Sequence, residues 1–256
     1  VTIGTTSCTT TTYSSETEAL CVVPAGTYAT GIDVTVTVGA QQSPTAAVFD
    51  YWRVATQLAF TPDPGTDGTV LSGDVLTTQP QVTIQDAGGA TVSTGPHSTI
   101  SVALTVASGT GTIGGGTTTA PGVTGVTTAF AGVFIQAAGF SPGAFTLQAD
   151  ATAAVAITGT SGAFTVHARA TQLLWSPQPG GTVFDGDSLT TPPIVHVCDQ
   201  VGNPVATGPH ATLDVTLTLA TNPGTGVLDG TTVDTNVVAG VADAFTDVHV
   251  DFPGLI

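Results

Sequence analysis

The sequence contains no lysine and no methionine, and its only basic side chains besides histidine are Arg53 and Arg169. Charged residues make up 8% of the 256 residues, against about a quarter in an average globular domain. Eighteen acidic residues give a net charge of −16, so the chain cannot neutralise phosphates. Nucleic acid and anionic membrane surfaces are therefore not expected as partners. Without lysine, a Schiff base or a Walker-type phosphate loop cannot form.

Long hydrophobic stretches and a targeting sequence are also missing. No apolar run approaches the length needed to cross a bilayer, and the first residues show no signal-peptide pattern. We therefore expect a mature product or an excised piece of a longer protein, with no membrane insertion in this segment.

Catalytic motifs are missing as well. No Gly-x-Ser-x-Gly turn joins a predicted strand to a helix, and the Gly114–Gly116 run precedes threonines. The spacing of the acidic residues does not exclude a glycosidase-type carboxylate pair, but the aromatic residues that would stack on a sugar amount to 6%. We expect no enzymatic activity and no cofactor.

What the chain does contain is an internal repeat. The copies share hydrophobic positions and turn glycines at offsets of 113 to 115 residues. The matching pairs include Thr56-Gln57-Leu58 with Thr171-Gln172-Leu173, Thr94-Gly95-Pro96-His97 with Thr207-Gly208-Pro209-His210, and Ala129-Phe130 with Ala244-Phe245. A unit of about 115 residues has the size of a domain rather than of a solenoid repeat.

Each copy alternates apolar and polar residues with a period of two. The clearest runs are Gln81–Gln85, Ile100–Val106 and Leu213–Leu219, with turn residues such as Ala87–Gly89 and Val201–Pro204 after the strands. Alternation of this kind predicts strands with one buried face, and no stretch favours a helix. Short strands with regular turns predict an all-β fold of antiparallel β-sandwiches.

Three cysteines bear on the compartment. Cys8 and Cys21 flank a short threonine-rich segment, and a disulfide between them would indicate an oxidising, extracellular environment. Two buried thiols are the alternative. Cys198 is left over, either as a buried small hydrophobic residue or as a free thiol for an interchain disulfide.

Residues 54–256 resemble the immunoglobulin-like modules repeated in large microbial surface proteins. The resemblance rests on Phe60-Thr61-Pro62, the run from Thr83 to Gly89, Val102-Ala103-Leu104, and Gly240–Phe245 with one extra residue. It implies tandem immunoglobulin-like sandwiches and says little about function.

Residues 1–53 do not fit this repeat and resemble the C-terminal part of a TIG/IPT domain, another immunoglobulin-like sandwich. The resemblance rests on the Cys21-Val22-Val23-Pro24-Ala25-Gly26 stretch and the alternating strand Ile32–Val38. In that family the two cysteines commonly pair, which agrees with a bond between Cys8 and Cys21.

We therefore predict three domains, over residues 1–53, 54–170 and 171–256. The last lacks its final strands, because residues 142–169 of the first copy have no counterpart in the second. Either the chain is an excerpt of a longer one, or a neighbour donates the missing strands.

Histidines are the first candidates for a site. His97 and His210 recur in the Gly-Pro-His motif, either as a shared ligand or metal site or as loop residues kept by the ancestry of the repeat. His196 and Cys198 lie two apart on one strand face, which we expect to be exposed, but two ligands do not make a zinc site.

Acidic residues are the second candidates. Asp185 and Asp187 surround a glycine and are weak Ca²⁺ candidates, with turn formation as the alternative. No other metal site is expected. No Asn-x-Ser/Thr sequon occurs, but the threonine runs at 9–12 and 117–119 could carry O-linked glycans.

Two functional hypotheses follow. The first is a structural segment, such as a spacer, stalk or filament protomer, of a long extracellular surface or appendage protein, whose partners are other copies of itself or neighbouring surface proteins. The second is an adhesin-type module that binds a glycan or a partner protein, which requires an exposed aromatic or apolar patch. The scarcity of aromatic residues favours the first.

Overall fold

The computed structural model describes residues 1–15, 17–44, 47–137, 143–152, 156–222 and 224–252. In these ranges the chain is built almost entirely from β-strands, with short 3-10 helices at Pro64–Asp67, Pro96–Thr99 and Pro209–Thr212. None of the described helices is long and apolar enough to span a membrane. The predicted all-β, immunoglobulin-like fold class is confirmed.

Residues 1–51, called here the N-terminal segment, contain eight short strands. Their bounds are β1 Thr2–Ile3, β2 Thr6–Ser7, β3 Thr10–Ser15, β4 Glu18–Val22, β5 Ala29–Thr35, β6 Thr37–Val38, β7 Gln41–Gln42 and β8 Ala47–Tyr51. Strands β2, β1, β5 and β8 form one antiparallel sheet in that order, while β3–β4 and β6–β7 are separate hairpins. The hairpin β3–β4 is exposed along nearly its whole length, so this segment has little core of its own.

The described part of residues 54–170, the first repeat, forms two larger sheets and a separate two-stranded ladder. Their strands are β9 Gln57–Phe60, β10 Thr69–Leu71, β11 Val82–Gln85, β12 Val102–Ser108, β13 Gly111–Gly114, β14 Thr119–Ala120, β15 Gly122–Val123, β16 Val126–Thr127, β17 Phe134–Ala137, β18 Gly143–Ala151, β19 Thr158–Thr160 and β20 Phe164–His167. One sheet has the order β10-β20-β18-β12-β14 with β19 on β18, the other has the order β15-β16-β11-β9, and the ladder is β13–β17. Strands β10 and β20 pair in parallel, whereas the other described pairs are antiparallel.

The core of the first repeat lies between these two sheets. Alternate residues of β11, β12 and β18 point inward, which is why the sequence alternates in period two. The largest fully buried side chains are Phe130, Phe145, Phe164, Leu76, Ile84, Ile135 and Leu147. Each side chain of this size contributes roughly 1.5–3 kcal/mol when it is removed from water.

Residues 171–252, the described part of the second repeat, reproduce part of this arrangement. The strands are β21 Gln172–Trp175, β22 Val195–Cys198, β23 Val215–Thr216, β24 Val227–Asp229, β25 Val233–Asp234 and β26 His249–Asp251. The pairs β21–β22, β23–β25 and β24–β26 match β9–β11, β12–β14 and β13–β17 of the first repeat. The core is smaller and contains Val195, Val197, Val215, Val237, Ala242, Phe245 and Val248.

One predicted strand is much shorter than its sequence pattern. The run Leu213–Leu219 alternates like Ile100–Val106, but β23 spans only Val215–Thr216, whereas β12 spans Val102–Ser108. The reason is pairing, since β12 is flanked by β14 and β18, and β23 by β25 alone among the described residues. The domain bounds themselves stay a prediction.

Candidate functional site: two repeated joints

The Thr-Gly-Pro-His loops fold alike in both repeats. Each proline opens a 3-10 helix, and the glycine before it has φ and ψ of 81° and −177° at Gly95, and of 86° and −174° at Gly208. This backbone conformation is essentially restricted to glycine. The glycine therefore permits the turn, and the proline fixes the first helical residue.

The histidine of each loop is bonded to the chain at the junction that precedes or begins its repeat. The backbone N–H of Ala55 donates to Nδ1 of His97 at 3.0 Å, and that of Ala170 donates to Nδ1 of His210 at 3.0 Å. Each Nδ1 must carry a lone pair to accept this bond, so it is occupied. Of the two predictions for these residues, the loop role fits this geometry better than a shared metal site.

The glycine of each loop lies directly under a ring from the preceding segment. A Cβ atom on Gly95 would lie 2.6 Å from Cδ2 of Trp52, and one on Gly208 would lie 2.4 Å from Cγ of His167. Trp52 and His167 stand 115 residues apart, at equivalent positions before the two repeats. The contact of ring and glycine is therefore part of the repeat.

Polar contacts complete the first joint, which consists of Tyr28, Trp52 and Arg53 against Asp86 and the Thr94–His97 loop. The hydroxyls of Tyr28 and Thr94 are hydrogen-bonded at 3.0 Å. The Arg53 guanidinium pairs with the Asp86 carboxylate and lies 5.0 Å from the centre of the Tyr28 ring. Backbone N–H donation from Ala90, followed by the bond from Arg53, lowers the pKa of Asp86 below its ordinary value of 3.8.

The second joint consists of His167 and Ala170 against the Thr207–His210 loop. Nδ1 of His167 and the Thr207 hydroxyl are hydrogen-bonded at 3.2 Å, at the position where Tyr28 meets Thr94 in the first joint. Arg169 turns back to the first repeat, where it pairs with Asp74 and donates from Nε to the Ser72 carbonyl at 3.4 Å. Of the two arginines, Arg53 therefore pairs across the first joint, whereas Arg169 bonds within the first repeat.

Trp52 lies near a domain start, where the sequence indicates a core or interdomain role, but nothing in the sequence pattern pointed to His167. The repeat pairs Thr94 with Thr207 and His97 with His210, but Trp and His are too different to align by identity. A ring at the same offset of 115 residues from Trp52 is the signal that could have found His167.

Cys8 and Cys21 form a disulfide in the structure, with their Cα atoms 5.6 Å apart. The bond joins the base of the exposed hairpin β3–β4, where the backbone N–H of Thr9 also donates to the carbonyl of Val22 at 3.1 Å. A segment with so few buried side chains needs such a cross-link, because a small core alone gives little stability.

The expectation of an exposed face around Cys198 is wrong. The cysteine is 1% exposed and ends a strand on which Val195 and Val197 are buried as well. Desolvation by burial, followed by the neighbouring Asp199, raises the pKa of the Cys198 thiol. A buried, protonated thiol is a poor partner for an interchain disulfide, so Cys198 acts as a small core residue.

Asp185 and Asp187 lie in an exposed turn. The Asp185 carboxylate accepts the backbone N–H of Phe252 at 2.8 Å, and the backbone N–H of Asp187 donates to the Phe184 carbonyl at 3.1 Å. Within the described residues, neither belongs to a group of three candidate metal ligands. The turn-forming alternative accounts for this geometry.

Other carboxylates also accept backbone N–H groups. Asp86 receives those of Gly88 and Ala90 at 2.9 and 3.0 Å, and the equivalent Asp199 receives those of Val201 and Asn203, both at 3.0 Å. Asp63 binds the N–H of Gly162 from across the first repeat. Backbone donors therefore compensate for the scarcity of basic side chains at these positions.

Three side chains on the ladder β24–β26 are the one group in the described ranges whose ligand atoms could share a metal ion. Asp229 faces His249 across the ladder, and Asp251 follows two residues later, with all ligand atoms within 4.8 Å. The Nδ1–H of His249 donates to the Asp247 carbonyl at 2.9 Å, and its Nε2 lies 3.6 Å from the Asp251 carboxylate. The Asp247 bond, followed by the charges of Asp251 and Asp229, raises the pKa of His249 above its ordinary value of 6.5.

We expect His249 to titrate above pH 6.5 in the folded chain, and Asp251→Asn to lower that midpoint. The charged imidazole contributes stability that is fully present below pH 6.5 and is lost as the pH rises through the raised pKa. An NMR titration of the ring protons measures the midpoint, with Asp33→Asn on the N-terminal segment as the control. An unchanged midpoint in Asp251→Asn would refute the assignment.

Comparison with known proteins adds a family for one segment. Residues 1–51 match the IPT/TIG domain family, which confirms the resemblance found in the sequence. No curated protein matches the chain. Among solved structures, the chain is similar to domains 4–9 of the surface layer protein SbsC, at 15% identity and a TM-score of 0.31. The match covers 92% of this chain and 34% of the SbsC chain, so this chain spans about a third of the length of that structure. The family match is thus confined to residues 1–51, which are similar to IPT/TIG domains.

Proposed function

We propose that this chain is a rigid structural segment, a spacer, stalk or filament protomer, of a long extracellular surface or appendage protein built from immunoglobulin-like domains. The observation that carries this proposal is the joint described above. The same loop, with the same glycine conformation and the same histidine bond, meets a ring from the preceding segment twice along the chain.

A repeated joint is what a spacer requires. A linker that moves freely would need several residues without contacts between domains. Here the residues between Tyr51 and Gln57 include Trp52, packed on Gly95, and Ala55, which is 2% exposed and bonded to His97. Each contact removes freedom at the junction, so the segments are held in one relative orientation.

The extracellular part of the proposal is supported by the disulfide between Cys8 and Cys21, since such bonds persist in oxidising compartments. Other copies of the chain or neighbouring surface proteins are the partners we propose for it. The threonines at 9–12 are all exposed and are the attachment sites we propose for O-linked glycans.

Small-angle scattering of the whole chain tests the spacer function. We expect one rigid arrangement to account for the scattering curve. The matched control is a variant with six Gly-Ser residues inserted between Arg53 and Val54, which should require an ensemble of orientations. If the unmodified chain scatters like the insertion variant, the rigid spacer is refuted. Specific binding on a glycan array would instead favour the adhesin-type module.

A further inference from the structure

Asp229, His249 and Asp251 lie on one face of the ladder β24–β26 in the second repeat. Asp229 is the direct cross-strand partner of His249, and Asp251 follows His249 two residues later on the same strand. Residues two apart on a strand point to the same face, as do directly opposed residues of an antiparallel pair. The three side chains therefore converge, and their ligand atoms all lie within 4.8 Å of one another.

The imidazole of His249 is oriented for a ligand at Nε2. Its Nδ1–H donates to the backbone carbonyl of Asp247 at 2.9 Å, which places the lone pair of the neutral ring on Nε2. Nε2 lies 3.6 Å from the Asp251 carboxylate, a distance longer than a hydrogen bond. In a tetrahedral site with bonds of about 2.0–2.2 Å, neighbouring ligand atoms lie about 3.3–3.6 Å apart, so this spacing accommodates a metal ion between the two side chains.

The carboxylates of Asp229 and Asp251 have no lysine or arginine partner in the part of the chain that the structure describes. Both arginines pair with carboxylates of the first repeat, and the sequence contains no lysine. One oxygen of Asp229 accepts the N–H of Gly230 at 2.7 Å, which leaves the other oxygen for a ligand bond. The nearby Asp247 carboxylate is by contrast occupied, since the N–H and the hydroxyl of Thr231 both donate to it.

The first repeat contains the same ladder without these ligands. Strand β13 pairs with β17 as β24 pairs with β26. The positions of the three ligands are occupied there by Gly114, Phe134 and Gln136. The ladder therefore forms without an acidic or imidazole side chain at any of these positions, so the fold of the repeat does not require the ligand set.

We propose that Asp229, His249 and Asp251 bind one divalent transition-metal ion, with Zn²⁺ as the ion that fits the donor set best. The imidazole nitrogen favours Zn²⁺ over Ca²⁺, because Ca²⁺ is held by about six to eight oxygen ligands. The two carboxylates balance the charge of the ion, and water completes its coordination on the exposed side of Asp229. The ion links β24 to β26 and stabilises the second repeat, whose core is small. The inference is independent of the spacer function.

The test uses the whole chain after removal of metal ions with a chelator. Salt at about 0.15 M screens the general attraction of cations to a chain with a net charge of −16. Zn²⁺ is added at neutral pH, and binding is followed by calorimetry and by the NMR signals of the His249 ring and of strands β24 and β26. We expect one ion per chain, with the largest shifts at these signals. Ca²⁺ at the same concentrations should leave the His249 ring signals unchanged.

Three variants identify the ligands. His249→Phe and Asp251→Gln introduce the side chains that the first repeat carries in the same ladder, so both variants should fold. Each should weaken Zn²⁺ binding by at least about tenfold. The matched control Asp187→Asn removes one negative charge next to Ser188, which forms a β-bridge with His249, but removes no proposed ligand. Its effect should be much smaller, because salt screens charges that do not contact the ion.

Four outcomes would overturn the proposal. They are no Zn²⁺ binding, Zn²⁺ binding that leaves the His249 ring signals unchanged, equal shifts of those signals by Ca²⁺, and equal weakening by Asp187→Asn. Loss of the dispersed amide signals of the second repeat would show that a variant does not fold. Asp229→Asn, at an exposed side chain, then replaces that variant in the comparison.

Discussion

Gly95→Ala is expected to open the first joint while the first repeat stays folded. The added methyl would lie 2.6 Å from the Trp52 ring, a distance that no packed carbon tolerates. Its backbone strain, at φ 81°, costs on the order of 1–3 kcal/mol. Because Trp52 is 40% exposed, its ring can rotate into solvent. The contacts of the joint are therefore lost while the core of the first repeat stays folded. With spin labels at Val48→Cys and Val123→Cys, the distance between the labels should have a narrow distribution in the otherwise unmodified chain. The distribution should become broad in Gly95→Ala.

Two further glycines serve as control positions that distinguish the effect of the Trp52 ring contact from the effect of backbone strain. Gly68 also has a positive φ, of 69°, but a Cβ atom there would meet nothing within 4 Å. Gly180 has open space and no positive φ. Gly68→Ala should lower the free energy of unfolding without broadening the distance distribution between the two spin labels. Gly180→Ala should change the free energy of unfolding by less than about 0.5 kcal/mol. If Gly68→Ala broadened the label-to-label distance distribution as much as Gly95→Ala does, the contact with the Trp52 ring would not be the cause of the broadening.

Phe130→Ala is expected to destabilise the first repeat by about 3–5 kcal/mol, because the ring is 0% exposed and its removal leaves a cavity between the sheets. The equivalent Phe245 is 3% exposed in a much smaller core. Phe245→Ala should therefore leave the second repeat largely unfolded under conditions in which the first stays folded. Chemical denaturation followed by fluorescence and by NMR signals of each repeat measures both effects.

The control is Phe184→Ala, at a ring that is 84% exposed, which should change the free energy of unfolding by less than about 0.5 kcal/mol. A loss in Phe130→Ala no larger than this control would show that the first repeat does not have the core described here. Loss of both repeats together in Phe245→Ala would show that they do not unfold as separate units.

Much of the fold could be predicted from the sequence because the relevant signals are local. The alternation in Gln81–Gln85 and Ile100–Val106 corresponds to β11 and β12, since period two follows directly from strand geometry. The offset of 113 to 115 residues correctly aligned β21 with β9 and β22 with β11. The length of β23 could not be predicted, because it depends on a pairing partner and not on its own residues.

The joints and the burial of Cys198 could not be predicted because they depend on contacts across the fold. Period two placed Cys198 on the face of His196, and the polar equivalent Gln85 suggested solvent. Cys198 is nevertheless 1% exposed, because its surroundings come from other parts of the fold and not from the strand's own pattern. Likewise, His97 in isolation is a loop histidine, and only the fold brings the N–H of Ala55 to its Nδ1.

The central claim, that the joints hold the segments in one orientation, is tested most directly by a distance across the second joint. Val123 and Val238 are equivalent positions in the two repeats, 56% and 70% exposed, and can be labelled as Val123→Cys and Val238→Cys. The native cysteines do not interfere, because Cys8 and Cys21 are bonded and Cys198 is buried. Pulsed electron paramagnetic resonance should give a narrow distribution of distances between these two labels. The substitution Gly208→Ala should broaden that distribution. A broad distribution in the unmodified joint would contradict the rigid spacer.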